Sequence, residues 1–338
     1  MDKEVPGLSE DTYREALTHA MYRINRQQAE LTWLNDGKPL RGNVTGVRCF
    51  LGGKIPFSEL TLKCVIGAGT FAEVYFGHWT GTVIAIKQLK LKSMTKRRLQ
   101  SFGQEMEDVC NMETHPNILR FIGYCDASPN LCVLMEYMPM TLYDVIHIRD
   151  DIELDENERI DVIRQICEGL YFLHGKDRCH RKLTSKNVLL NYRKGKPCEV
   201  KVSDYCLELM LNSLSLKSSH VRGTYEQRAS LPRYSAPEVL RGEILGDKTE
   251  QLKADIWSLA IVVHELIYDQ EPYYNMNLED LIIKVGKNGE RPSDPPEITL
   301  EEPVAITLTL ALSLDPQNRP RVEYMTRKFN AFDRIYRN

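Results

Sequence analysis

The sequence predicts an α+β fold of two unequal lobes, a small β-rich lobe leading into a larger helical one, with a helical extension in front. Three observations carry that expectation. Residues 60–91 hold short β-branched runs separated by glycine-containing turns, which reads as antiparallel strands. From Asp155 onward apolar residues recur mostly at helical spacing. One long helical pattern also runs from about Leu8 to Leu34. The organisation expected is a helical extension over 1–55, a first lobe over 56–138 and a second over 139–334.

In the extension, Tyr13, Leu17, Ala20, Met21, Ile24, Leu31 and Leu34 fall on one helical stripe. Ser9 is placed to cap the helix start, and Asn35-Asp36-Gly37 to stop it. Such a helix reads as a brace packed on the domain behind it. The same spacing also fits a fragment of coiled coil or a partner-binding arm. Three strands are expected at Leu62–Ile66, Val74–His78 and Thr82–Lys87, then a helix over Arg97–Met112. Two more strands are expected at Asn117–Tyr124 and Leu131–Glu136. Helices follow at Glu158–His174, Lys253–Tyr268, Leu278–Val285 and Val304–Leu314, with an irregular stretch from Cys179 to Glu238. The joint between lobes falls near Met138 to Thr141.

Bulk properties narrow the function classes. The chain has 338 residues, 42% of them hydrophobic, enough for a sizeable core, and a net charge of −3. That balance gives no nucleic-acid footprint and no acidic tail. Nine cysteines are scattered without a C-x-x-C pair, so neither a zinc site nor a disulfide framework is expected. Free thiols suit the reducing cytosol. No apolar run reaches the ~18 residues of a membrane helix, and the polar, charged start is not a signal peptide.

Several motifs carry chemistry. Ile66-Gly67-Ala68-Gly69-Thr70-Phe71-Ala72-Glu73-Val74 places two glycines between strands, where backbone N–H groups can approach a phosphate without a Cβ in the way. Alone, such a pair is as readily an ordinary hairpin. Val83-Ile84-Ala85-Ile86-Lys87 ends an apolar strand in a lysine, which reaches nucleotide phosphates when a carboxylate holds it. Glu105 on the next helix is the natural partner and Glu107 the fallback. More motifs follow in order: His115-Pro116-Asn117-Ile118-Leu119, Leu134-Met135-Glu136-Tyr137-Met138, His180-Arg181-Lys182-Leu183-Thr184-Ser185-Lys186-Asn187, Ser203-Asp204-Tyr205-Cys206, Tyr234-Ser235-Ala236-Pro237-Glu238, Asp255-Ile256-Trp257-Ser258 and Asp315-Pro316-Gln317-Asn318-Arg319-Pro320.

In that order the motifs resemble a protein kinase domain over about Pro56 to Phe332. Thr184 two residues after position 182, Lys186 two later, and Ile55-Pro56-Phe57-Ser58-Glu59-Leu60 ahead of the first strand are similar to the tyrosine-kinase-like group. The resemblance implies the bilobal kinase fold and ATP with Mg2+ as ligands. For the nucleotide it implies Ile66, Gly67, Ala68, Gly69, Thr70, Phe71 and Val74 in the glycine loop, and Ala85, Lys87 and Glu105 behind it. It adds Met135 as gatekeeper, Glu136 and Met138 at the hinge, and Leu189 below. It casts Asn187 and Asp204 as metal ligands, Lys186 as a catalytic-loop lysine, and Arg319 as the partner of Glu238. His180 reads as a core residue. Arg181 and the hydroxyls of the activation segment, from Ser213 to Ser230, would suit regulation by phosphorylation.

Three departures weigh against ordinary catalysis. Lys182 stands where the family has the aspartate that accepts the substrate hydroxyl's proton; an ammonium has three donors and no acceptor. Tyr205-Cys206 replaces Phe-Gly, removing a glycine whose φ > 0 freedom lets this loop flip. Ala72 replaces the third glycine. The expectation is a catalytically impaired pseudokinase that holds ATP and acts as a cytoplasmic scaffold or allosteric partner of another kinase or signalling protein. Two rivals stand beside it. One is an active serine/threonine or tyrosine kinase with an unusual base. The other is an interaction module that binds no nucleotide, its pocket blocked by Met135, Tyr205 or Cys206.

Overall fold

The computed structural model describes residues 10–36, 53–69, 72–90, 95–127, 129–194, 198–205, 232–243, 248–295 and 302–336. The expected cap at Ser9 and stop at Gly37 lie outside them, as do Thr70, Phe71, Cys206 and the activation-segment hydroxyls from Ser213 to Ser230. The chain forms two units, one of residues 1–111 with 121–139, the other of 112–120 with 140–338.

The first unit begins with helix α1 (Glu10–Asp36) and a short 3-10 turn at Phe57–Glu59. Its sheet has strands β1 (Leu60–Ala68), β2 (Ala72–Trp79), β3 (Thr82–Leu89), β4 (Phe121–Ala127) and β5 (Asn130–Glu136). They are all antiparallel, in the order β1-β2-β3-β5-β4. Alternation gives the sheet two faces. Ile84, Ile86, Cys132 and Leu134 point to one, where they pack with Ile55, Ile122 and Cys125. Helix α2 (Lys96–Cys110) buries Phe102, Met106 and Val109 at i, i+4, i+7 spacing and is capped by the Thr95 hydroxyl, which accepts from Arg98 N–H.

Helix α1 packs on β1, as the brace reading anticipates, but through a different face. Met21, Ile24, Leu31 and Leu34 are exposed, while Ala29 and Trp33 are buried. The cause is the strand beside it. β1 is an edge, and its register slips by one residue at Lys63 and again at Ile66, leaving carbonyls without a ladder partner. Asn25 Nδ2 donates to Val65 O at 2.8 Å and Arg26 Nε to Ile66 O at 2.6 Å. The edge needs donors, so polar side chains face inward.

The second unit holds a small sheet, β6 (Met140–Thr141), β7 (Val188–Asn191) and β8 (Glu199–Val202), ordered β6-β7-β8. Its helices among the described residues are α3 (Leu142–His147), α4 (Glu156–Gly175), α5 (Pro237–Leu240), α6 (Lys248–Tyr268), α7 (Leu278–Asp280), α8 (Glu302–Ala311) and α9 (Val322–Tyr336). Helix α7 runs on as one π-helical segment, Leu281–Lys287, where an ordinary helix is expected. Helix α6 is the core of this unit, buried from Ala254 to Leu266. Residues 117–120 are not strand. Asn117 O accepts from Val202 N–H and Leu119 N–H donates to Val202 O, both at 2.9 Å, so this stretch lies beside β8 and β4 starts only at Phe121.

Candidate functional site

In the first unit, β1 and β2 carry the glycine loop. Gly69 N–H donates to Ala72 O at 2.8 Å, closing its neck. Ile66 is buried, and its carbonyl is the one held by Arg26. The Arg26 guanidinium lies within 3.7 Å of where a side chain on Gly67 would begin.

Val74, Lys87 and Val133 are register partners across β2, β3 and β5, as are Phe76, Ala85 and Met135. All six therefore share the sheet face opposite the apolar cluster. Lys87 is buried there, at 7% exposure. Tyr124 pairs with Val133 and belongs to the same face. Helix α2 packs on it, with Phe102 edge-on to the Tyr124 ring at 6.0 Å. Glu105, half-buried, is thus on a helix that covers the Lys87 face. The fallback Glu107 is engaged elsewhere: its carboxylate accepts the Tyr124 hydroxyl at 3.1 Å. Burial and this carboxylate push the Tyr124 phenol up to about 12. Met135, Tyr137 and Met138 are buried and Glu136 half-buried.

In the second unit the catalytic loop hangs from Asp255 of α6. Its buried carboxylate accepts from the backbone N–H groups of His180 and Arg181, each at 2.7 Å, and from His174 Nε2 at 3.0 Å. Arg181 has φ +64°, an uncommon conformation for a side-chain-bearing residue, held by that bond. His180 is buried, which lowers its pKa. Its Nδ1 accepts from Lys182 N–H at 3.2 Å, so the hydrogen sits on Nε2 and donates to Ser203 O at 2.8 Å. This is a structural imidazole.

Asn187 closes the loop. Its Nδ2 donates to Lys182 O at 2.7 Å, and its own carbonyl accepts from Ser203 N–H at 2.8 Å and Ser203 Oγ at 3.0 Å. These bonds bring Lys182, Asn187 and Asp204 into one place. Asp204 takes φ +61°, a conformation aspartate tolerates better than most. Tyr205 is buried at 5% exposure, and Leu189 is half-buried on β7 opposite Thr141.

Lys186 is exposed as a residue, yet its ammonium lies 4.2 Å over the Tyr143 ring. Loss of solvent there lowers its pKa, against the opposing pull of Glu271, Glu265 and Asp144. Beneath it, fully buried Glu265 accepts from Tyr234 at 2.7 Å and Ser185 at 2.9 Å, with His147 Nε2 also 2.9 Å away. Burial and Glu265 push the Tyr234 phenol well above its usual range. The sequence reading passes over Glu265. A glutamate within the buried apolar run Ile256–Leu266 is the signal that marks it. Arg319 meets Glu238 through two parallel bonds, 2.6 and 2.7 Å, both side chains fully buried, in the pairing the resemblance implies.

The acceptors gathered here, the Asp204 carboxylate and the Asn187 amide oxygen, are hard oxygen groups of the kind a magnesium ion takes. The side chain at 182 adds a positive charge and no acceptor.

Comparison with known proteins places the chain in a family. The family model described as protein tyrosine and serine/threonine kinase matches residues 60–329. Among curated relatives, the Dictyostelium discoideum "Probable serine/threonine-protein kinase drkC" is 32% identical over 282 residues, covering 82% of this chain and 35% of its own length. The Arabidopsis thaliana "Serine/threonine-protein kinase CTR1" is 31% identical over 270 residues, 79% of this chain and 31% of its own. The chain thus spans about a third of the length of these relatives. Among the described residues, no helix is long and apolar enough to cross a membrane.

Proposed function

The chain belongs to the protein tyrosine and serine/threonine kinase family, and from that premise we propose that it is a pseudokinase of the tyrosine-kinase-like group, one that holds ATP but transfers its γ-phosphate poorly. The observation that carries this reading is Lys182, fixed by its own backbone to His180 and Asn187 at the position of the proton acceptor. A positioned general base contributes roughly 10²–10⁴-fold in rate, and a charged ammonium supplies none of it. The same charge opposes a metal: two unit charges ~4 Å apart repel by ~4 kcal/mol at an effective dielectric near 20, and a divalent ion doubles that.

Nucleotide binding is supported by what remains. Lys87, Val74, Ala85 and Met135 share one sheet face, and Glu105 rides on the helix covering it. When bound, ATP with Mg2+ would bring the transferable phosphate; Lys87 would hold phosphate oxygens, and Asp204 and Asn187 would hold the ion. In this reading the protein works in the cytoplasm by binding another kinase or signalling protein, since a kinase-shaped surface docks partners without catalysing anything.

The test is transfer of radiolabelled γ-phosphate by the whole chain beside Lys182→Asp, with thermal melts in ATP, with and without magnesium. The expected result is a near-silent parent, a variant gaining on the order of 10²-fold, and a parent melt raised by ATP. A parent that transfers phosphate as fast as the variant sinks the pseudokinase reading. No melt shift at millimolar ATP supports an interaction module without nucleotide.

A further inference from the structure

Helix α1 has two faces. Ala29 and Trp33 are buried and Tyr22, Asn25 and Arg26 half-buried on the side toward β1. The other side carries Ala20, Met21, Ile24, Gln27, Leu31 and Leu34, all exposed, with Met21 at 61% and Leu31 at 60%. Single exposed apolar side chains need no explanation, but four large ones in one stripe over four turns do. Their spacing is that of a coiled-coil seam. Ile24 and Leu31 stand seven apart in the first core position, and Ala20, Gln27 and Leu34 seven apart in the second.

We propose that this face pairs with α1 of a second copy of the chain, as an antiparallel coiled coil. The residues argue for a self-complementary partner. In an antiparallel pair, first-position residues lie beside second-position residues of the other helix. With the two-fold axis between Asn25 and Arg26, Ile24 meets the partner's Gln27 and Ala20 meets the partner's Leu31. The small Ala20 is thus set against the large Leu31, which fills that layer. The single polar core residue, Gln27, fixes the register, as one polar core position does in other coiled coils.

Charge selects the direction. The positions flanking the seam on one side are Arg23 and Glu30. In the antiparallel pair Arg23 meets the partner's Glu30, and symmetry makes that contact twice. In a parallel pair Arg23 would instead face Gln28, which carries no charge. The lobe side of the helix is already held, through Asn25 and Arg26, so α1 is ordered before it pairs and little further ordering is required.

Sedimentation velocity of the whole chain over a concentration series tests this. A species of twice the chain mass should grow with concentration. Ile24→Asp and Leu31→Asp should each remove it without lowering the monomer's melting temperature, because both side chains are exposed. Arg23→Glu alone and Glu30→Arg alone should weaken the dimer on the order of tenfold, and the two together should restore it. A chain that stays monomeric throughout overturns the proposal, as does a dimer indifferent to Ile24→Asp and Leu31→Asp. A dimer lost with those substitutions but unmoved by either charge reversal overturns the antiparallel pairing. An α1 face that instead captures an unrelated helix while the chain alone stays monomeric overturns the choice of a second copy.

Discussion

Asp255 holds two consecutive backbone N–H groups, those of His180 and Arg181, and so keeps Arg181 in the left-handed region at φ +64°. Asp255→Asn would leave one of those donors facing an amide N–H. An unsatisfied buried group costs about 1–3 kcal/mol, and urea unfolding should show the second unit weakened by that much. Burial also sets a pH dependence. His180 and His264 both have pKa values lowered by burial, below the 6.5 of the unfolded chain. As pH falls through 6.5, the unfolded state takes up protons that the folded state does not. Stability is therefore full above that pH and declines below it, by up to about 1.4 kcal/mol per pH unit for each imidazole. A urea midpoint constant from pH 7.5 down to 5 would contradict this. At this scale the sequence is explicit where a residue type breaks a motif. Lys182 cannot be mistaken for an acid, whereas nothing adjacent in sequence ties Asp255 to position 180, because that bond closes only when α6 is folded.

The same contrast governs the elements. The length of α1 and the positions of β1, β2, β3 and β5 are legible because period-2 and helical patterns run long enough to be read. The face of α1 is not, because hydrophobicity alone decides such a reading and here an edge strand asks for hydrogen-bond donors. Arg26→Ala should cost the first unit about 1–3 kcal/mol and speed hydrogen exchange along α1, with Gln28→Ala, exposed and outside the seam's core positions, as the neutral control. Equal exchange in Arg26→Ala and parent would mean the guanidinium holds nothing. Strand β6, with two residues, and helix α3, with six, are too short to show a period. Helix α9 is a different case: Val322, Met325 and Phe329 are buried at helical spacing, so its signal is present in the sequence, and the reading simply stops before it. The π-helical turn at Leu281–Lys287 has no sequence signature comparable to a cap or a glycine.

At the scale of the whole molecule, ordered motifs make the fold class readable, since many weak matches in one order leave few alternatives. The buried Glu238–Arg319 pair spans 81 residues and ties the activation-segment end to the distal helices. The chain also crosses between its two units three times, because residues 112–120 belong with 140–338 while 121–139 return to the first. Ile118 and Leu119, at 3% and 2% exposure, are buried within the second unit. The units are therefore interleaved rather than modular. A gene segment ending at Pro139 would encode every strand of the first sheet and still carry a stretch whose apolar side chains have lost their cover. Such a fragment should aggregate on expression, and its solubility should return when Ile118 and Leu119 are both made polar. Exchange of one lobe between relatives, by recombination or by design, would need three coordinated crossovers rather than one.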